Sequence, residues 1–128
     1  IQAPEGTRRY TVTVQILMDE QASWVGFQVE NANGWVSGIA GMDFGGFAGY
    51  SADGTNFAYP SLGWTTVSMS LDLDTATYEC TVDGESLGEQ PILADPQPTD
   101  LTRVQVYAYQ GGGGATGYFD DLSIELSP

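Results

Sequence analysis

Residues 64–84, WTTVSMSLDLDTATYECTVDG, alternate between apolar and polar side chains on both sides of a short polar turn. The apolar positions are odd-numbered before the turn and even-numbered after it: Val67, Met69, Leu71, Tyr78, Cys80 and Val82. A period of two over this length indicates two antiparallel strands with one covered face. Residues 72–75 (DLDT) supply the turn, and Asp83-Gly84 begins the next one. This segment therefore predicts an all-β fold.

The same alternation recurs along the rest of the chain and predicts further short strands. They cover residues 10–18, 23–30, 35–44, 47–50, 56–59, 85–90, 103–110 and 117–126. No window repeats apolar residues at helical spacing between capping residues, so the sequence predicts no helix. Many short strands and 17 glycines are typical of a β-sandwich or barrel.

The length and charge of the chain restrict its class. At 128 residues and 41% hydrophobic content, residues 1–128 form one domain with its own core. The chain carries 17 acidic residues against Arg8, Arg9 and Arg103, which gives a formal net charge of -14. This charge repels nucleic acids, anionic membrane surfaces and, unless a cation bridges them, polyanionic glycans.

No apolar run predicts membrane insertion, and no targeting or lipidation motif is present. The chain begins at Ile1, as expected of a mature form or an excised module. Such acidity suits a secreted protein or a high-salt setting, and it also fits an ordinary solvated surface.

The composition removes most catalytic chemistries. Without histidine, the chain has no Ser-His-Asp or Cys-His arrangement and no zinc site of the usual ligands. Cys80 is the only cysteine, it lacks a basic neighbour, and its phase predicts a buried core side chain. Carboxylate pairs for glycoside hydrolysis remain: Glu79 with Asp83, Asp72 with Asp74, and Asp121 with Glu125. None lies in a recognisable acid motif, so we expect no enzyme activity.

Two segments resemble a known fold family. One is the hairpin at 64–84, and the other is GYFDDLSIE at 117–125, which follows a glycine-rich loop. Together they resemble the concanavalin A-like, laminin-G-like jelly-roll domains of secreted bacterial proteins. Similar closing strands also occur in galactose-binding-like carbohydrate modules. The resemblance implies a two-sheet antiparallel β-sandwich that binds glycans, often with calcium, or serves as an accessory module beside a catalytic domain.

A sugar site needs aromatic rings beside amides, carboxylates or arginine. If Val104, Val106 and Ala108 face the core, the opposite face of their strand carries Arg103, Gln105, Tyr107 and Tyr109. The strand at 23–30 offers Trp24 and Gln28, and the first strand offers Thr13 and Gln15. If these strands share one sheet, the predicted carbohydrate-binding residues are Trp24, Gln28, Arg103, Gln105, Tyr107 and Tyr109. Two alternatives remain open: Tyr107 and Tyr109 face the core, or they cover a face that binds nothing.

Asp120 and Asp121 are the candidate metal ligands. They adjoin on the last strand, so regular alternation points one of them inward. Asp120 is in phase with Leu122, Ile124 and Leu126, and we therefore expect Asp120 to be buried. A buried carboxylate is costly unless a metal or hydrogen-bond donors satisfy it, so a structural calcium is one hypothesis and backbone amides are the other.

The leading hypothesis is a non-catalytic carbohydrate-binding module of a secreted or cell-surface bacterial protein. Its expected partner is a poly- or oligosaccharide, and the chain is expected to belong to a larger multidomain protein. The second hypothesis is a structural or adhesion module without a sugar site. The third is a glucanase-like hydrolase, which would release reducing sugar through its paired carboxylates.

Overall fold

A computed structural model describes the chain except for residues 19–23, 32–35, 44–46, 50–55, 59–62, 93–98 and 110–116. The described strands are β1 (Arg9–Met18), β2 (Trp24–Glu30), β3 (Val36–Asp43), β4 (Phe47–Gly49), β5 (Asn56–Ala58), β6 (Thr65–Asp72), β7 (Thr77–Val82), β8 (Glu85–Pro91), β9 (Arg103–Tyr109) and β10 (Gly117–Ser127). Each predicted strand is present. Within the described ranges, no helix has the length and apolarity needed to span a membrane.

The strands form two five-stranded sheets. Sheet 1 has the order β10-β1-β6-β7-β8, and sheet 2 has the order β5-β4-β3-β2-β9. Every strand pair is antiparallel. Inward side chains of both sheets form one core, in which β1 contributes Tyr10, Val12, Val14 and Ile16 and β2 contributes Val25, Phe27 and Val29. The predicted two-sheet β-sandwich, a jelly roll, is confirmed.

The hairpin at 64–84 shows why the alternation was informative. Val67 lies directly opposite Val82, and Met69 lies opposite Cys80. Directly opposite residues share a face, so all these side chains enter the core, where Cys80 is fully buried. Asp72 closes the turn because its carboxylate accepts hydrogen bonds from the backbone N–H groups of Asp74 (2.8 Å) and Thr75 (3.3 Å).

The register of β9 settles which of its faces is covered. Val104, Val106 and Ala108 lie opposite Val29, Phe27 and Val25, the core residues of β2. The register therefore gives positions 104, 106 and 108 the same phase as the core residues of β2. Val106 is nevertheless 42% exposed, because β9 is the edge strand of sheet 2.

The first strand belongs to the other sheet. β1 pairs with β10 and β6 in sheet 1, whereas β2 and β9 are neighbours in sheet 2. Thr13 and Gln15 therefore do not lie beside Trp24 and Gln28, and the expectation of a face shared by all three strands is wrong. The physical reason is that β1 and β2, although consecutive, cross from one layer of the sandwich to the other.

The expectation that Asp120 is buried is also wrong. Thr13 of β1 pairs with Ser123 of β10, and Gln15 pairs with Asp120. Between these two pairs, β1 spans two residue steps and β10 spans three. This β-bulge reverses the phase of β10, so Asp120 lies opposite Gln15 on the outer face of sheet 1. Asp121 adopts a φ of 51° at the bulge, and both aspartates are exposed.

Candidate functional site

The register of β2 and β9 brings the predicted carbohydrate-binding residues together. Trp24 lies opposite Tyr109, Gly26 opposite Tyr107, Gln28 opposite Gln105, and Glu30 opposite Arg103. The intervening residues of β2 (Val25, Phe27 and Val29) are fully buried, so these four pairs occupy strand positions on the outer face of sheet 2. Three of the four pairs contain aromatic residues or amides that the sequence analysis selected, and the fourth contains Arg103.

Glu30 is the residue that sequence reasoning missed. Its side chain is 3% exposed, although the Arg103 side chain beside it is 62% exposed. Arg103 donates two hydrogen bonds to Oε2 of Glu30, from Nε (2.7 Å) and from Nη2. Gln28 donates from Nε2 to Oε1 of Glu30 (2.6 Å). One signal was available in the sequence, because Glu30 shares the phase of Trp24 and Gln28 on the non-core side of β2.

The contacts of Glu30 keep it charged. Burial raises the pKa of Glu30. Hydrogen bonds from Gln28 and Arg103, together with the positive charge of Arg103, lower the pKa by more than burial raises it. The resulting pKa lies below the ordinary value of 4.5. At neutral pH the carboxylate is therefore ionised, and it holds the Arg103 guanidinium at the polar end of the outer face.

Three polar atoms of this cluster form no hydrogen bond with another described residue. Gln28 also donates a long hydrogen bond (3.5 Å) to Oε1 of Gln105. Among the described residues, no partner is bonded to Nη1 of Arg103, the amide nitrogen of Gln105 or Oε1 of Gln28. These atoms comprise two donor groups and one acceptor.

A row of glycines crosses the same face. Gly26 of β2 lies opposite Gly41 of β3, which lies opposite Gly49 of β4. The row continues to Tyr107 on one side and to Asn56 on the other. Adjacent strands are about 4.8 Å apart, so these three positions, called the glycine trough below, form a row about 10 Å long without side chains of its own. One bordering row consists of the strand positions of Tyr109, Trp24, Asp43, Phe47 and Ala58.

The candidate calcium ligands were selected because one of them was expected to be buried. Asp120 and Asp121 are exposed on β10, and Oδ1 of Asp120 accepts a hydrogen bond from the backbone N–H of Asp121 (2.9 Å). Calcium takes six to eight oxygen ligands. Within the described ranges, no group of three or more carboxylate or thiol side chains is placed to hold a metal ion. A buried carboxylate at Asp120 therefore no longer provides a reason to expect calcium.

A groove lies on the outer face of sheet 1. This groove has a volume of about 310 Å³ and is lined mainly by hydroxyls and carboxylates, among them Thr11, Ser70, Asp72, Glu79 and Glu89. A glycosidase acid needs a raised pKa. The pKa of Asp72 is instead lowered, first by the hydrogen bond from the backbone of Asp74 and then by Arg9, whose Nε donates at 2.9 Å.

No protein-family model matches the sequence, and no curated protein matches it. Solved structures do resemble it, at 11–14% identity. A sialidase has a TM-score of 0.68 and 11% identity over 94% of this chain, which spans 13% of the sialidase. A tetrameric galectin from the ball sponge Cinachyrella sp. has a TM-score of 0.60 and 14% identity over 95% of this chain and 94% of its own.

The galectin LEC-6 of Caenorhabditis elegans has a TM-score of 0.56 and 11% identity, over 100% of this chain and 89% of its own. Identities this low establish a shared fold, and function has to be argued from the site. The strand order of the two sheets and these structural matches lead to the same assignment: the chain has a two-sheet jelly-roll fold like that of the two galectins.

Proposed function

We propose that the chain is a non-catalytic, lectin-like module that binds poly- or oligosaccharides on the outer face of sheet 2. One observation carries the proposal: the six residues selected from the sequence occupy neighbouring strand positions on the non-core face of β2 and β9, where Trp24 lies opposite Tyr109 and Gln28 lies opposite Gln105. Galectins with the same fold support a binding role. Aromatic rings pack against the C–H faces of sugars, and amides and arginine bind their hydroxyls.

The site divides into an aromatic and a polar half. The strand positions of Trp24, Tyr107 and Tyr109 form one end, and Gln28, Gln105 and Arg103 form the other. The glycine trough lies between the row that contains Trp24 and the row that contains Gln28. Because glycines add no side chains there, we expect a sugar ring to approach the sheet closely at this row. A linear saccharide is therefore expected to cross the strands rather than run along them.

The biological setting is part of the proposal. The charge and the excluded chemistries favour a binding role over catalysis. The resemblance to secreted bacterial domains favours an extracellular or cell-surface location. The net charge of -14 disfavours nucleic acids as partners. The sialidase match covers 13% of that chain, which supports a module within a larger multidomain protein. A calcium ion bound by Asp120 and Asp121 stays a prediction from the sequence alone.

The first test is a glycan and polysaccharide binding screen, run with calcium and again with chelator. Trp24→Ala and Tyr107→Ala are expected to weaken binding at least about tenfold, as for central aromatic contacts. Trp64→Ala and Tyr118→Ala are matched controls, because both side chains are 49% exposed outside the site. They are expected to leave affinity unchanged.

Each other outcome has a definite meaning. Unchanged affinity in both site variants would reject the outer face of sheet 2 as the binding surface. Binding lost with chelator would redirect attention to Asp120 and Asp121. No binding in either condition would favour a structural or adhesion module, and release of reducing sugar would identify a hydrolase.

A further inference from the structure

The polar end of the proposed site holds an arginine whose charge is already neutralised. Arg103 contacts the buried carboxylate of Glu30 through Nε and Nη2. We propose that this pair makes the site select neutral glycans over anionic ones, and that Glu30 sets this preference. The inference rests on the proposed function, because it concerns the ligand class of the same face.

The charges of the whole chain support this selectivity. Its only cationic side chains are Arg8, Arg9 and Arg103, against 17 acidic residues. Arg8 pairs with Asp74 at 2.8 Å and Arg9 with Asp72 at 2.9 Å, both on sheet 1 or its turns. A sialylated, sulfated or uronic glycan would therefore meet no uncompensated cation and would be repelled by the net charge of -14.

The polar atoms left at the site match hydroxyl groups. Nη1 of Arg103 and the amide nitrogen of Gln105 are donors, and Oε1 of Gln28 is an acceptor. A hydroxyl donates and accepts, so vicinal hydroxyls of a neutral sugar satisfy both kinds of group. A carboxylate or sulfate only accepts, and it leaves the Gln28 oxygen without a donor while adding a repelled charge.

Glu30 acts on the ligand through Arg103. With 3% of its side chain exposed, Glu30 is a positioning residue that offers almost no surface to a ligand. Glu30→Gln keeps the shape and one oxygen acceptor, but it removes the negative charge and leaves the charge of Arg103 uncompensated. This substitution is therefore expected to create an anion-binding group at the same place, which is a gain of function rather than a loss.

The experiment compares wild type and Glu30→Gln on an array of neutral, sialylated, sulfated and uronic glycans, with lactose and 3′-sialyllactose titrated as a matched pair. Wild type is expected to bind neutral glycans only. Glu30→Gln is expected to raise affinity for anionic glycans about tenfold at low salt, equivalent to about 1.4 kcal/mol. The gain is expected to shrink at high salt, because screening weakens an exposed charge.

Two further variants separate this effect from a general change in charge or folding. Glu89→Gln removes the same charge from an exposed position on sheet 1 and is expected to change nothing on the array. Glu30→Gln/Arg103→Gln is expected to lose the gain, since the cation is gone. Circular dichroism and thermal melting confirm that each variant is folded.

The outcomes distinguish this inference from the proposed function. Wild type that binds anionic glycans more tightly than neutral ones would overturn the selectivity and leave the binding module intact. A folded Glu30→Gln protein without any gain would overturn the role of Glu30. Wild type that binds no glycan at all would overturn both.

Discussion

Replacing Arg103 with methionine tests the energetics of the buried carboxylate directly. The substitution keeps much of the side-chain volume but removes both hydrogen bonds to Oε2 of Glu30, so that Gln28 remains the only described side-chain donor. Breaking a fully buried ion pair costs about 3–5 kcal/mol. Because the Arg103 side chain is 62% exposed, water can reach part of the Glu30 carboxylate once Arg103 is replaced. We therefore expect Arg103→Met to lower the free energy of unfolding by about 2 kcal/mol at neutral pH.

The loss depends on pH with a defined sign. The pKa of Glu30 is lowered in the folded protein, so its ionisation stabilises the fold above the ordinary value of 4.5. That contribution is lost as the pH falls through the folded pKa. The difference in free energy of unfolding between wild type and Arg103→Met should therefore be largest near neutral pH and should shrink below pH 4.5.

Urea unfolding followed by tryptophan fluorescence measures this difference at several pH values. Arg9→Met is the matched control, because Arg9 pairs with Asp72 while their side chains are 54% and 27% exposed. An ion pair this accessible to water contributes little. The reasoning is refuted if the two variants are equally stable at neutral pH, or if the effect of Arg103→Met does not change on acidification.

Three further predictions concern other parts of the chain. Gly41→Val is expected to abolish glycan binding in a titration, because the valine side chain fills the trough, while circular dichroism shows that the fold is retained. Thr81→Val, on sheet 1, is the control. The double variant Asp120→Asn/Asp121→Asn is expected to change the free energy of unfolding by no more than about 0.5 kcal/mol. A larger loss would support a structural calcium ion bound by these aspartates. Gly84→Ala is expected to lower the free energy of unfolding, measured in urea, by about 1–2 kcal/mol. Gly84 has a φ of 82°, in the left-handed region that a residue with a Cβ atom rarely adopts.

Local patterns were sufficient for the strands and for most of the core. Val67, Met69 and Leu71 alternate with polar residues, and side chains of an extended chain alternate between faces whatever lies next to them. The same reasoning assigned Cys80 to the core, where it is fully buried. The same reasoning was wrong for Asp120, because a bulge adds one residue to β10 and reverses the phase of its side chains. No pattern in the neighbouring sequence predicted that bulge.

The pairing of distant strands was beyond local reasoning. Glu30 and Arg103 are 73 residues apart, and Glu30 is one of 17 acidic residues with no distinguishing motif. The Gly26–Gly41–Gly49 row likewise exists only because three strands meet in one register. Register depends on turn geometry and on the burial of one whole face, so it is a property of the assembled sheet.

The amino-acid sequence by itself determined which residues form strands, which side of each strand is apolar, and which chemistries the chain lacks. These are consequences of side-chain type and of the two-residue period of an extended backbone. Only the tertiary structure decided that β2 lies beside β9 while β1 lies in the opposite sheet. It thereby paired Glu30 with Arg103, because contacts between distant segments form only when both sheets close over a common core.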